Sequence, residues 1–282
     1  MSSSQLDHSP VIDDEISEAT ANQINEGITR LSRSPLVLAI TGIMGSLEIG
    51  IGLLAEFSVY EATGSKMLGS LAFAIGLIII FLAHSELFTE GFLVPVSAVV
   101  AGKKSIWSLL KFWSMTFIGN IIGAAIIMWL LAIGYPNMHN YLMEKALHYA
   151  EMPLDGEHFV RAALGGMILT LVTRMHQHSE ETMPKVLASA VGGFLLSATG
   201  IIHSILDTLF IFGGLMVDAP GITLGAWAAF VWWVALANLV GGLLLVSSFR
   251  FIRFKSLQRS QSIRHRDSAD GAKVESETAD QL

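Results

Sequence analysis

Two short polar stretches interrupt long apolar runs, and they hold the residues most able to do chemistry. The first reads His84-Ser85-Glu86-Leu87-Phe88-Thr89 and the second His203-Ser204-Ile205-Leu206-Asp207-Thr208; both fit H-S-x-L-x-T. His203 is the sharpest candidate. An imidazole deep in an apolar run can change charge near neutral pH and hand a proton to a weak-acid anion. Ionisable groups inside a membrane are costly and functional by default. The competing reading is a neutral histidine that only satisfies loose backbone. Thr89 and Ser204 supply hydroxyls that meet a solute or cap half-helices. Leu87, Phe88, Ile201 and Phe210 could form dry constrictions above and below a central chamber, although ordinary packing is the stronger reading for any one of them. His84 is the letter-for-letter partner of His203 and, taken alone, reads as loop structure. The half-helices after Thr89 and Asp207 would point free N–H groups inward and favour an anion. Glu48, Glu86, Glu90 and Asp207 act the other way, and Glu86 and Asp207 read instead as acceptors for the broken backbone.

Other chemistries fit poorly. His203, Ser204 and Asp207 are too close on one loop to converge as a hydrolase triad, and no G-x-S-x-G elbow is present. His176 and His178 lack the i, i+4 spacing of a helical metal site. Cysteine is absent, which excludes disulfides and thiolate chemistry. An enzyme is therefore not expected, nor a cofactor, a metal or a nucleic-acid partner.

The elements that must position these residues are apolar helices. The chain has 282 residues with only 15% charged, against about 25% in soluble domains. The charges cluster at the ends and between apolar runs. Those runs cover residues 35–57, 67–101, 106–133, 159–175, 186–216 and 224–249. A spanning helix needs roughly 20 apolar residues, so six passes are predicted, in a pore domain over 35–255. Polar tails flank it at 1–34 and 256–282, the first with an amphipathic helix at 16–31. The first apolar run follows a polar leader without a cationic start, so no signal peptide is expected.

Runs two and five are each about 30 residues, roughly 45 Å as continuous helix. Each carries a polar break in its middle. Non-helical backbone at that depth survives only where protein or a water-filled cavity satisfies it, and a pair of such breaks points to a transport site. Downstream, Asn120 and Gly123 in run three match Asn238 and Gly241 in run six. The fold class expected is all-α and integral to the membrane: six helices as an inverted 3+3 repeat, with helices two and five broken at mid-membrane.

The run Ser85-Glu86-Leu87-Phe88-Thr89, the Gly119-Asn120-x-x-Gly123 of run three and the Gly200-x-x-His203-Ser204 of run five resemble the formate/nitrite transporter family. The resemblance covers roughly residues 30–255. It implies an aquaporin-like fold, a first break shaped as an Ω loop, a second carrying a central histidine, and one pore in each protomer of a homopentamer. Thr89 and His203 match the two central positions, and Leu87 a constriction position. The departures are Ile201, where a bulky aromatic is frequent, Asp207, where an amide is common, and a fourth helix without the usual Asn, in which Thr170 could replace it.

The leading expectation is a channel or proton-coupled transporter for small monovalent anions in the inner membrane. A pore for neutral solutes and a non-transporting scaffold of the same fold are the alternatives; the Asn-Pro-Ala pair of water channels does not occur. Arg30, Arg33, Lys103, Lys104, Arg174, Lys185, Arg250, Arg253, Lys255 and Arg259 fall on one side, against Lys66, Lys145 and Arg161 on the other. The side richer in basic residues is the cytoplasmic one. Tags at both termini should therefore be cytoplasmic and residues 141–153 reachable from outside; termini on opposite sides would refute six passes.

Overall fold

The computed structural model describes residues 10–247. Expectations for residues 1–9, for the last part of run six and for the tail at 256–282 lie outside the described residues. Those described contain ten α-helices and no strand: α1 Pro10–Ser32, α2 Pro35–Thr63, α3 Lys66–Ala83, α4 Val94–Val100, α5 Ile106–Gly134, α6 His139–Ala150, α7 Gly156–Gln177, α8 Thr182–Ala198, α9 Ser204–Met216 and α10 Leu224–Val240. A π turn over Gly241–Ser247 extends α10.

The helix starts are written locally. Ser34, Ser65, Ser105, Asp155 and Thr223 each precede a helix and accept a hydrogen bond from an amide of its first turn. This satisfies donors that the helix itself leaves free. Pro35 adds a preset φ at the start of α2.

Helices α2, α3, α5 and Leu224–Leu244 are long and apolar enough to cross a membrane. Runs two and five are divided as expected, but unequally. The 18-residue α3 is followed by a seven-residue α4, and the 17-residue α8 by a 13-residue α9. The first break begins at His84, at the midpoint of its run, and extends toward the C-terminal side. It is also longer, because a 3-10 turn at Phe88–Phe92 intervenes before α4.

Helices α2 and α5 pack backbone to backbone. A Cβ at Gly42 would overlap the Thr116 carbonyl, one at Gly119 that of Ala39, and one at Gly123 that of Ile43. Helix α7 meets run six in the same manner, Gly166 against the Asn238 carbonyl and Gly241 against that of Ala163. Lipid gives helices no hydrophobic reason to associate, so dispersion between closely approaching backbones has to hold them.

Two elements differ from expectation. The predicted amphipathic helix at 16–31 is longer, and it lies against α4, where Gly27 leaves no room for a Cβ beside the Val94 carbonyl. Lys111 Nζ donates to the carbonyls of Leu31 and Arg33 at 3.3 and 3.0 Å, which fixes its far end. Residues 141–153, expected to be reachable from outside and assigned no helix, contain most of α6. It packs on α9 and buries Leu142 and Ala146. The signal was the i, i+4 spacing of Met138, Leu142 and Ala146.

Substituting Gly123 by Leu should force α2 and α5 apart and cost about 3 kcal/mol, read as a lower melting temperature of the detergent-solubilised protein. A Cβ at Gly134 meets nothing within 4 Å, so Gly134→Ala should change stability by less than about 0.5 kcal/mol.

Candidate functional site

The first break begins where α3 ends. His84 takes a left-handed conformation, φ 56°, Ser85 N–H bonds back to the Ile80 carbonyl at 3.1 Å, and Leu87 is extended. Glu86 N–H donates to the Thr41 carbonyl at 3.2 Å. Asn120, fully buried on α5, supplies the rest. Its Oδ1 accepts from Phe88 N–H at 2.8 Å, and its Nδ2 donates to the carbonyls of Glu86 at 3.0 Å and Gly42 at 2.8 Å. Glu48 Oε1 accepts from the Ser85 hydroxyl at 2.8 Å, which gives this membrane-embedded carboxylate a role in holding the loop.

The second break is held by the same device. Gly200 is left-handed, φ 68°. Asn238 Oδ1 accepts from Ser204 N–H at 2.9 Å, and its Nδ2 donates to the carbonyls of Ile202 at 3.1 Å and Ala162 at 2.7 Å. The repeated asparagines, read in the sequence only as markers of the repeat, are the clamps of both breaks.

This correspondence corrects the pairing read from H-S-x-L-x-T. Glu86 matches Ile202 and Phe88 matches Ser204, so Leu87 is the counterpart of His203, and His84 that of Gly200. The letter match slid the loops by three residues. His84 ends the helix before its loop, whereas His203 caps the helix after it. His84 is exposed and lies at a cavity wall, away from the buried centre.

His203 and Thr89 meet across the two breaks. The imidazole Nε2 lies 2.8 Å from the Thr89 hydroxyl; His203 is 2% exposed and Thr89 0%. The other ring nitrogen fixes the tautomer, because Nδ1 accepts from Leu206 N–H at 3.1 Å. Nε2 therefore carries the hydrogen and donates it to Thr89, which leaves the threonine hydroxyl proton free to donate onward. Asp207 completes a reciprocal cap, its Oδ2 accepting from His203 N–H at 2.7 Å. Ser204 is buried beside them, with its N–H on Asn238.

Leu87, Ile201 and Phe210 fall in one buried apolar cluster, with Phe88 packed against it. Two cavities flank this centre, at opposite ends of α2. One, of about 230 Å³, is walled by Arg30, Arg33, His84, Ser85, Glu86 and Glu90 among others. The other, of about 110 Å³, has Glu56, Tyr60, Tyr141 and Lys145 in its wall. Lys145 Nζ, in the wall of this second cavity, stands 5.3 Å from the Phe210 ring centre and 3.9 Å from Glu56 Oε1. Neither cavity includes Thr89 or His203. The Thr170 hydroxyl donates within its own helix, to the Gly166 carbonyl at 2.8 Å.

Similarity to known proteins bears on the family and the fold. A transporter of Bacillus subtilis (strain 168), YrhG, itself uncharacterised, is 24% identical over 259 residues, spanning 88% of this chain and 95% of that one. The fold matches a solved structure described as an FNT family ion channel, with a TM-score of 0.74 at 22% identity over 85% of this chain and 98% of that one. It also matches a pentameric formate channel with formate bound, with a TM-score of 0.65 at 19% identity over 78% and 97%. The model of the formate/nitrite transporter family matches residues 17–252. The chain is a membrane protein and belongs to the formate/nitrite transporter family of channels and transporters.

Proposed function

We propose that the protein is a channel or proton-coupled transporter passing small monovalent weak-acid anions, formate, nitrite or similar, across the inner membrane. The path runs through a pore centred on His203 in each protomer of a homopentamer. The observation that carries this is the 2.8 Å contact between His203 Nε2 and the Thr89 hydroxyl, which joins the two breaks inside an apolar cluster with a cavity on either side. The pentameric formate channel of the same fold supports the assembly and the substrate class.

The six passes in this reading are α2, α3 with α4, α5, α7, α8 with α9, and α10, with 35–255 as the pore domain and both tails cytoplasmic. Two observations support an inverted arrangement. The asparagine clamps are equivalent, and α3 and α8 run in opposite senses. Lys66 at the start of α3 borders the smaller cavity, whereas Lys185 at the start of α8 borders the larger.

Chemically, the site offers one free donor, the Thr89 hydroxyl proton, backed by His203 Nε2–H, which donates to the Thr89 oxygen and fixes its direction. The apolar surroundings make a bare charge costly, so an anion that gains a proton passes more readily than a permanently charged one. Outright proton donation by His203, the expectation from sequence, meets a constraint. It requires an imidazolium first, and a proton on Nδ1 would confront Leu206 N–H and break the cap. His203 therefore serves as a hydrogen-bond donor, and the neutralising proton comes from solvent.

The test is formate and nitrite uptake into liposomes across pH. Uptake through the wild-type protein should rise as pH falls, because the protonated fraction of the weak acid grows. His203→Asn keeps an N-cap, since asparagine caps well. It should leave the assembly intact and lower uptake at least about tenfold, the scale of a lost hydrogen bond to a charged group. Thr89→Ala should cost less, about threefold to fivefold. Unchanged uptake in His203→Asn would refute the central-histidine pore.

A further inference from the structure

Glu86 is 2% exposed, and its backbone is fixed on both sides, by Thr41 and by Asn120. Its carboxylate is met by two guanidinium groups from the N-terminal part of the chain. Arg33 Nη1 lies 2.6 Å from Oε1, and Arg30 Nη1 lies 3.7 Å from Oε2. The second distance is too long for a hydrogen bond, and both atoms are buried without one. Arg30 also pairs with Glu26 at 2.6 Å.

Glu26, Arg30, Arg33 and Glu86 all border the larger cavity, together with Glu90 and Lys185. Among the described residues, its wall carries three basic side chains, Arg30, Arg33 and Lys185, and three acidic ones, Glu26, Glu86 and Glu90. The segment containing α1 and Arg33 brings two of those cations and only one of the acids. Without it, the described wall would keep Lys185 against Glu86 and Glu90, a balance less favourable to an anion. The segment is also held in place along its length. Besides the Lys111 contacts, Lys104 Nζ donates to the Ser32 hydroxyl at 2.7 Å, and Gln177 Nε2 donates to Glu26 at 2.8 Å.

We propose that Arg30 and Arg33 set the anion preference of this mouth by offsetting Glu86 and Glu90, so that α1 is a wall of the permeation path and not a plug over it. The inference rests on the anion pore proposed above. A charged mouth changes the local concentration of a permeant ion tenfold or more, and the change is screened by salt. A plug held by the same ion pairs would give the opposite sign, because weakening the pairs would then release flux.

The experiment uses the full-length protein in liposomes, with formate flux and the anion-to-cation permeability ratio read at low and high salt. Arg33→Gln should lower both roughly tenfold at low salt, with a smaller loss at high salt. Arg33→Lys, which keeps the charge, should stay near wild type. Arg33→Gln/Glu86→Gln, which removes both charges, should return to within about threefold of wild type. Glu86→Gln alone, which keeps both arginines, should raise the anion preference; this reading stands even if Arg33→Gln does not fold. Higher anion flux in Arg33→Gln, or an anion preference unmoved by Glu86→Gln, overturns the proposal while leaving the central-histidine pore intact. A wild-type protein that carries no anion overturns both.

Discussion

Everything in this molecule follows from the need to satisfy a broken backbone inside an apolar interior. Each break exposes amides and carbonyls where no lipid can bond them, and each such group left bare costs several kcal/mol on the order of a lost hydrogen bond in hydrocarbon. Asn120 and Asn238 meet that cost in the same way. One side-chain carbonyl takes the amide that opens the next element, and one side-chain NH₂ ties the loop to a carbonyl on a neighbouring helix. An amide side chain suits this, because it offers an acceptor and two donors without a charge.

The glycines follow from the asparagines. A side chain as short as asparagine can reach a loop and a neighbouring helix together only if the backbones are nearly in contact. Gly42, Gly119 and Gly123 allow that between α2 and α5, and Gly166 and Gly241 allow it between α7 and run six. Packing and hydrogen bonding are therefore one constraint here, and neither could be altered alone.

The same economy governs His203. Its Nδ1 caps α9 and its Nε2 faces Thr89, so the residue that closes a helix also aims a donor at the opposite loop. Leu206 sets the tautomer, a contact three residues away, while Thr89 lies 114 residues away in sequence. In the proposed pore this fixes what the imidazole can do: donate a hydrogen bond without changing charge. Glu86 shows a related coupling at the rim, where a carboxylate of the first loop is held by arginines from a segment that the sequence presents as a tail.

The sequence by itself determined the helical, membrane-spanning character, the two interrupted runs, most helix starts and the pairing of Asn120 with Asn238. Those features are local: apolar run length, a capping Ser, Thr or Asp, and a lone amide in a hydrophobic stretch each carry their physical meaning within a few residues. His203 and Thr89 were legible for the same reason, as polar groups where burial is expensive. The letter match of His84 with His203 misled, because identity of letters does not show which side of a loop a residue closes; only backbone conformation, left-handed at His84 and Gly200, separates them. Helix α6 was hidden by its moderate polarity, although its apolar spacing was present. The tautomer of His203, the part Glu48 plays at Ser85 and the pairing of Arg30 and Arg33 with Glu86 were decided only by tertiary structure. Each depends on the direction of a side chain fixed by elements distant in sequence, and no local pattern encodes that direction.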